Sequence, residues 1–428
     1  MNTQRISNET FKRLAVLAAL FSLSLILYVD RAAISSAKTS MATALSLSDA
    51  AMGAVFSAFA LGYAFAQIPS GWFADRIGPR MALALVVALW SVFTVLTGVA
   101  SGLGTLLVVR FLFGAAEAGA FPGSARVIYN WLPPRMHGIA NGILFSGALV
   151  GGAVAFPFFQ WLLGAHGWRT AFYLLGVPGG VWAFCWLIWF RDFPSERAIA
   201  GQEQEAVRSV RLVVLLRSKA MVKAMAQYFV GNFTFFICIS WMFPYLVQRY
   251  SLSPGQAAKY SMVPLLSGAT ANWVSGFLVD LLYRSRFRPW SRRVPAAAGF
   301  VLAACGVYGV TLLDSPGSAI SAFAVATFGV EITISPSWAY CIDIARMNSG
   351  GASAAMNMAG SVGAFASANA FPLLYRLTGN SDAYFWIAAA LNVLAAVCWL
   401  TMHSAQNSDA AEPRSRDQNG FNLRHRRS

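Results

Sequence analysis

The chain has 428 residues, 57% of them hydrophobic and only 11% charged, with mean hydropathy +0.55. That balance lies outside the soluble globular range and inside the membrane class. A formal net charge of +15 would invite nucleic acid, but where the basic residues fall along the chain excludes that reading.

Twelve apolar runs, each near the roughly 20 residues that cross a bilayer, fall at 14–37, 51–73, 81–100, 104–128, 138–163, 171–190, 222–248, 257–282, 294–313, 317–342, 350–375 and 382–403. The first is too long for a secretory signal, and its flank Ser35-Ser36-Ala37 leads directly into more membrane sequence, so it reads as a span. With the N-terminus inside, 24 of the 32 Lys and Arg fall in cytoplasmic segments and five in external ones; Arg31, Arg110 and Arg126 lie within spans. This is the positive-inside pattern, so the basicity follows topology and nucleic acid is not an expected partner. The five cysteines (Cys185, Cys238, Cys305, Cys341 and Cys398) fall within spans, without close pairing, and read as packing residues. His137, His166, His403 and His425 lie at loops or ends, so neither a metal site nor a cofactor is expected.

The charged stretch from 191 to 219 divides the runs six and six. The expected organisation is an N-terminal bundle over 1–190, a cytoplasmic linker over 191–221, a C-terminal bundle over 222–403 and a disordered basic tail over 404–428. The halves echo each other: Gly71 to Asp75 and Gly276 to Asp280 are both G-x-x-x-D at the inner end of a half's second span. Weak internal symmetry of this kind points to a two-repeat transporter holding substrate near the midplane. The stretch GWFADRIGPR, residues 71–80, resembles the signature loop of the major facilitator superfamily. The resemblance implies an all-α membrane fold of twelve transmembrane helices in two pseudo-symmetric six-helix bundles. It also implies a latch made by Gly71, Asp75, Arg76, Gly78 and Arg80. Gly71 permits close helix approach, Asp75 can cap a neighbouring helix, and Arg76 and Arg80 sit at the lipid–water boundary. The second-half copy, GFLVDLLYRS, is degenerate.

Asp30, Glu117 and Glu331 are the acids placed well inside spans, with Arg31 and Arg110 as buried cations. Charges at that depth are costly, and they usually face a substrate or proton path. Arg110 and Glu117 lie two helical turns apart, about 10 Å along one face. Asp30 and Arg110 have matching depths, so a contact between them is possible, and Glu117 sits deeper as a candidate proton carrier. An arginine here can clamp a substrate carboxylate bidentately. The competing reading is a static ion-pair network, although buried pairs stabilise poorly against apolar isosteres. Arg126 either snorkels to the interface or reaches the cavity.

YVDRAAISSA (28–37), RFLFGAAEAGAFPGSARVIYNWLPP (from 110), GNFTFFICISWMFPYLV (231–247) and SPSWAYCIDI (335–344) resemble the anion:cation symporter family of that superfamily. This family includes bacterial sugar-acid/proton symporters and vesicular and lysosomal organic-anion transporters. The resemblance implies proton coupling through Asp30 and Glu117, with Arg110 linking their protonation to substrate occupancy. It implies that Arg31 meets the substrate carboxylate, and that Tyr28, Tyr63, Ser335, Trp338 and Asn357 line the cavity. Asn357 and Gln67 could instead bond neighbouring helices. Two departures remove hydroxyl-reading groups: Ala148 stands where sugar-acid members carry an amide, with only Ser146 nearby, and Ser361 replaces a second Asn. Glu331 is an extra acid, either a third protonatable site or one half of a structural pair.

The expected function is proton symport of an organic anion, a sugar acid or other small carboxylate, by a monomer in the lipid bilayer. Alternatives are an exchanger or uniporter on the same fold, or a non-transporting sensor. No nucleophile–His–acid set argues for an enzyme. The short first external loop lacks an N-x-S/T acceptor, which favours a bacterial inner membrane.

Overall fold

A computed structural model describes residues 2–194, 212–237, 242–252 and 254–402. Of the expected linker, residues 195–211 lie outside the described residues, as does the whole tail expected over 404–428. Cys238, His403 and His425 lie outside them too. Among the described residues the chain is helical, and ten helical segments are long and apolar enough to cross a membrane. One of these, Pro316–Thr378, contains both the tenth and eleventh runs, divided at Thr333 and at the 3-10 turn Arg346–Asn348. The seventh run is described as Lys219–Phe236 and Met242–Tyr250, on either side of residues outside the description. The fifth and sixth runs join through a kink at Gly167, whose φ of 73° breaks the helix His137–Trp189.

Burial is arranged for lipid outside and polar groups within. Large apolar side chains such as Phe65, Phe184, Ile188, Phe277 and Leu394 are exposed on the outer surface. Asp30, Arg110, Glu117 and Glu331 are buried instead. Hydrocarbon tails solvate such an outer surface, while polar groups must be satisfied inside the bundle.

Two helices break where the sequence carries proline. The fourth run divides into Leu103–Glu117 and Ala120–Trp131. Pro122 has no N–H for the Ala118 carbonyl, and its ring crowds that oxygen. The tenth divides likewise into Pro316–Ile332 and Ile334–Ala345. There Pro336 frees the Ile332 carbonyl, and the Ser275 hydroxyl donates to it. Both breaks therefore come directly after a buried glutamate.

The second and fourth spans approach closely. A side chain at Gly114 would collide with the Phe59 carbonyl, and one at Gly62 with the Phe111 carbonyl. This tight crossing sets Phe59 and Tyr63 beside Arg110 and Glu117.

Candidate functional site

At the centre, Arg31 of the first span donates through Nε to Glu117 Oε1 of the fourth. Glu117 is 1% exposed, whereas the Arg31 side chain is 24% exposed, so the pair has one accessible partner. Around the Arg31 guanidinium stand Tyr63 (4.7 Å from the ring centroid), Tyr28 (5.3 Å) and Phe59 (5.4 Å). Cation–π attraction at these distances holds the guanidinium in place without using up its donors. Among the described residues, Arg31 Nη2 and Glu117 Oε2 are buried without a hydrogen-bond partner.

Asp30 and Arg110 are both buried, but no ion pair or hydrogen bond joins them. The Arg110 guanidinium lies instead over Phe113, at 4.4 Å, and Phe59, at 5.1 Å. The Asp30–Arg110 contact that their matching depths made possible is not formed as a hydrogen bond or close ion pair, but each charge lies within electrostatic reach of the other. Among the described residues neither Asp30 oxygen nor Arg110 Nε has a close hydrogen-bond partner, although the Trp90 side chain lies within reach of Asp30.

The other polar residues singled out in the sequence make these contacts. Asn357 Nδ2 donates to the Tyr63 hydroxyl at 3.1 Å, across the two halves of the chain. Gln67 Nε2 donates to Ser361 Oγ at 3.1 Å, so Ser361 joins the halves. Trp338 is fully buried; it donates to the Tyr228 hydroxyl at 2.9 Å and packs against Phe121 and Phe145. Ser335 is buried with its hydroxyl unpartnered. Ser146 turns back to the Ile143 carbonyl of its own helix. Glu331 accepts from Asn272 Nδ2 at 2.6 Å.

The signature loop sits at the basic end of the bundle. Asp75 accepts from the Gly350 and Gly351 backbone N–H groups at 2.9 and 2.7 Å, capping helix Ser349–Thr378 of the other half. Arg126 lies 4.0 Å from Asp75 and donates to the Met347 carbonyl at 2.5 Å. It is buried and binds the turn that precedes the helix Asp75 caps. Asp280 repeats the arrangement: it accepts from Gly138 and Ile139 N–H at 2.9 and 2.7 Å, at the start of helix His137–Trp189, with Arg292 at 3.7 Å. The degenerate second copy of the motif therefore keeps its capping role. Arg292 also pairs with Asp343 at 3.2 Å, and Asp343 with His137 at 2.8 Å. Gly78 turns the chain with φ 87°, and Arg76 stacks over Trp72. Arg80 donates through its guanidinium to the Leu187 carbonyl and through its backbone N–H to Asp192 Oδ1. Burial holds the Asp192 carboxyl above its ordinary range despite that bond.

Gly71 packs so tightly that a Cβ there would lie 2.6 Å from the Ala354 Cβ. Gly71→Val should therefore prevent the basic ends from closing. Its expected readout is increased alkylation of a cysteine placed beneath the latch; unchanged labelling would contradict this packing role.

The sequence matches the description of the Major Facilitator Superfamily over residues 20–368. The chain belongs to the major facilitator superfamily. A probable sulfoacetate transporter of Cupriavidus necator is 28% identical over 416 residues, which cover 94% of this chain and 96% of that protein. A hexuronate transporter of Bacillus subtilis is 27% identical, covering 90% and 93%. A D-galactonate transporter of Escherichia coli is 30% identical, covering 82% and 86%. FucP in the outward conformation shares the fold at TM-score 0.73 and 14% identity, covering 91% of this chain and 98% of FucP. The expected superfamily and its all-α fold are thus confirmed, and this member is a transporter, not an enzyme.

Sequence reasoning missed Phe59, Tyr228 and Asn272. Asn272 had a signal: it precedes Gly276 by four residues, as Gln67 precedes Gly71. Phe59 and Tyr228 had none, because an aromatic residue in an apolar span looks the same whether it faces lipid or a cation.

Proposed function

We propose that this superfamily member is a secondary transporter carrying a small organic anion, a sugar acid or another small carboxylate, into the cell together with protons. The observation that carries this reading is the Arg31–Glu117 pair inside its aromatic cage. An entering carboxylate and Glu117 compete for one guanidinium. Protonating Glu117 removes its charge and frees Arg31 for the anion, so proton and substrate load together. Asp30, buried with neither oxygen closely hydrogen-bonded among the described residues, is the second proton site, and Arg110 biases both acids through its charge. Tyr28, Tyr63, Ser335, Trp338 and Asn357 complete the substrate contacts. The hydrogen bonds that Asp75 and Asp280 accept across the halves hold one access state closed at the basic end, as alternating access requires.

The two bundles would be residues 1–190 and 222–403, in a bacterial inner membrane with both termini cytoplasmic. The arginine-dense latch end supports that orientation. The relatives support the substrate class, since their names specify sulfoacetate, hexuronate and D-galactonate.

The test begins with a thermal-shift screen of purified protein against those acids, because binding raises apparent stability. Uptake of the stabilising acid is then measured in liposomes with and without an imposed pH gradient. Accumulation should require the inward proton gradient; uptake indifferent to it contradicts coupling. Arg31→Lys keeps the charge but loses the fork, and should weaken anion binding about tenfold or more. Unchanged affinity by calorimetry would remove Arg31 from the substrate site.

A further inference from the structure

The acid that the mechanism leaves unused is Glu331, and its surroundings repeat those of Glu117. Glu117 precedes Pro122 by five residues, and Glu331 precedes Pro336 by five. Each lies in the last turn of a helix that the proline breaks: Leu103–Glu117 in one half, Pro316–Ile332 in the other. Each therefore lies at nearly the same depth from the start of its span. The symmetry extends to the facing helix, where Gln67 and Asn272 both stand four residues before the glycine of the G-x-x-x-D motif. Two glutamates thus occupy related positions, one in each half.

Their partners differ. Glu117 is held by a cation; Glu331 is held by the Asn272 amide, which donates to it at 2.6 Å. Among the described residues no arginine or lysine lies within 4 Å of Glu331. The other groups around it are Gly268 of the eighth span and, within electrostatic reach, Tyr28 of the first and Tyr228 of the seventh. An ionised carboxylate without a cation is costly at this depth. Asn272 suits both protonation states: its NH2 donates to the carboxylate, and its Oδ1, buried and unpartnered among the described residues, can accept from the protonated acid once the amide turns. A carboxyl satisfied with and without its proton, and neutralised by no fixed cation, is built to exchange that proton.

We infer that Glu331 is a proton-binding site of the second half, the symmetry mate of Glu117, and that it loads an additional proton in each transport cycle. The inference rests on the symport reading. An anion on Arg31 makes an ionised Glu331 less favourable still, so substrate and this proton enter together. The proton is taken up at a carboxylate oxygen from one side and released to the other; no bond to substrate forms.

Two measurements test it. The first needs no substrate: infrared difference spectra of purified protein are recorded across a pH titration. A protonated-carboxyl band should be lost in Glu331→Gln, shift in Asn272→Leu, and persist in Glu117→Gln. Gln keeps the side-chain shape and can still bond Asn272, so folding should be retained, as checked by size-exclusion chromatography. The second is the proton-to-substrate ratio from reversal potentials in liposomes, using whichever of sulfoacetate or D-galactonate is accumulated; it should fall by one in Glu331→Gln. A difference spectrum unchanged by Glu331→Gln, or an unchanged ratio, overturns the proposal. Failure of the symport reading is distinguishable, because wild-type uptake would then ignore the pH gradient while the infrared result stood.

Discussion

Glu117→Gln should tighten anion binding about tenfold or more, and should abolish accumulation driven by a pH gradient. The wild-type anion must displace Glu117 from Arg31, and a hydrogen bond between charged groups is worth about 1.5–3 kcal/mol. Glutamine is a neutral and weaker competitor, so that cost largely disappears. The pH dependence should change with it. Wild-type affinity should rise as pH falls, because protonating Glu117 releases Arg31; in the variant it should be nearly flat through this group. Exchange of substrate across the membrane should survive, since it needs the anion site but no net proton flux. Binding calorimetry at several pH values, paired with gradient-driven uptake and counterflow in liposomes, measures all three effects. Affinity that is weakened, or that keeps its wild-type pH dependence, would mean that the pair is a structural bridge.

Asp75→Ala should have the second large effect, on which access state is populated. It removes acceptors for two backbone N–H groups at the start of helix Ser349–Thr378 and leaves Arg126 without its neighbouring carboxylate. Charge-assisted bonds of about 1.5–3 kcal/mol each predict a loss sufficient to shift the access equilibrium by tenfold or more. Asp280→Ala should act in the same direction, because Asp280 caps helix His137–Trp189 in the same way. The two effects should add, as the caps share no partner. Distance distributions between spin labels on the two halves at the basic end would show a longer population growing in each variant. Distances unchanged in both would deny the latch its role.

The fold was legible because its signals are chemical and local. Hydrocarbon demands long apolar runs, the positive-inside bias orients them, and GWFADRIGPR carries a capping aspartate next to boundary arginines. Asp75 indeed caps a neighbouring helix, which follows from its place at a span end. From residue chemistry alone the site was legible only in its charged members, since a buried charge stands out in an apolar run while an aromatic residue does not; Tyr28 and Tyr63 came from the family resemblance. Phe59 was therefore missed although it lies between Arg31 and Arg110. Matching depth alone made an Asp30–Arg110 contact possible. Depth fixes position along the membrane normal but not rotation about the helix, and the close crossing at Gly62 and Gly114 turns Arg110 onto aromatic rings. The role of Arg126 stayed open for a related reason: the carbonyls it binds lie in a loop more than 200 residues away, which no local pattern reveals.

The most direct measurement of the central claim is proton movement caused by substrate alone. Wild-type protein is placed in liposomes without any ion gradient, and a pH-sensitive dye reports the external medium when the binding acid is added. The account predicts a transient external alkalinisation as anion and protons enter together, lost in Glu117→Gln. Entry of the labelled acid with no change in external pH would contradict it.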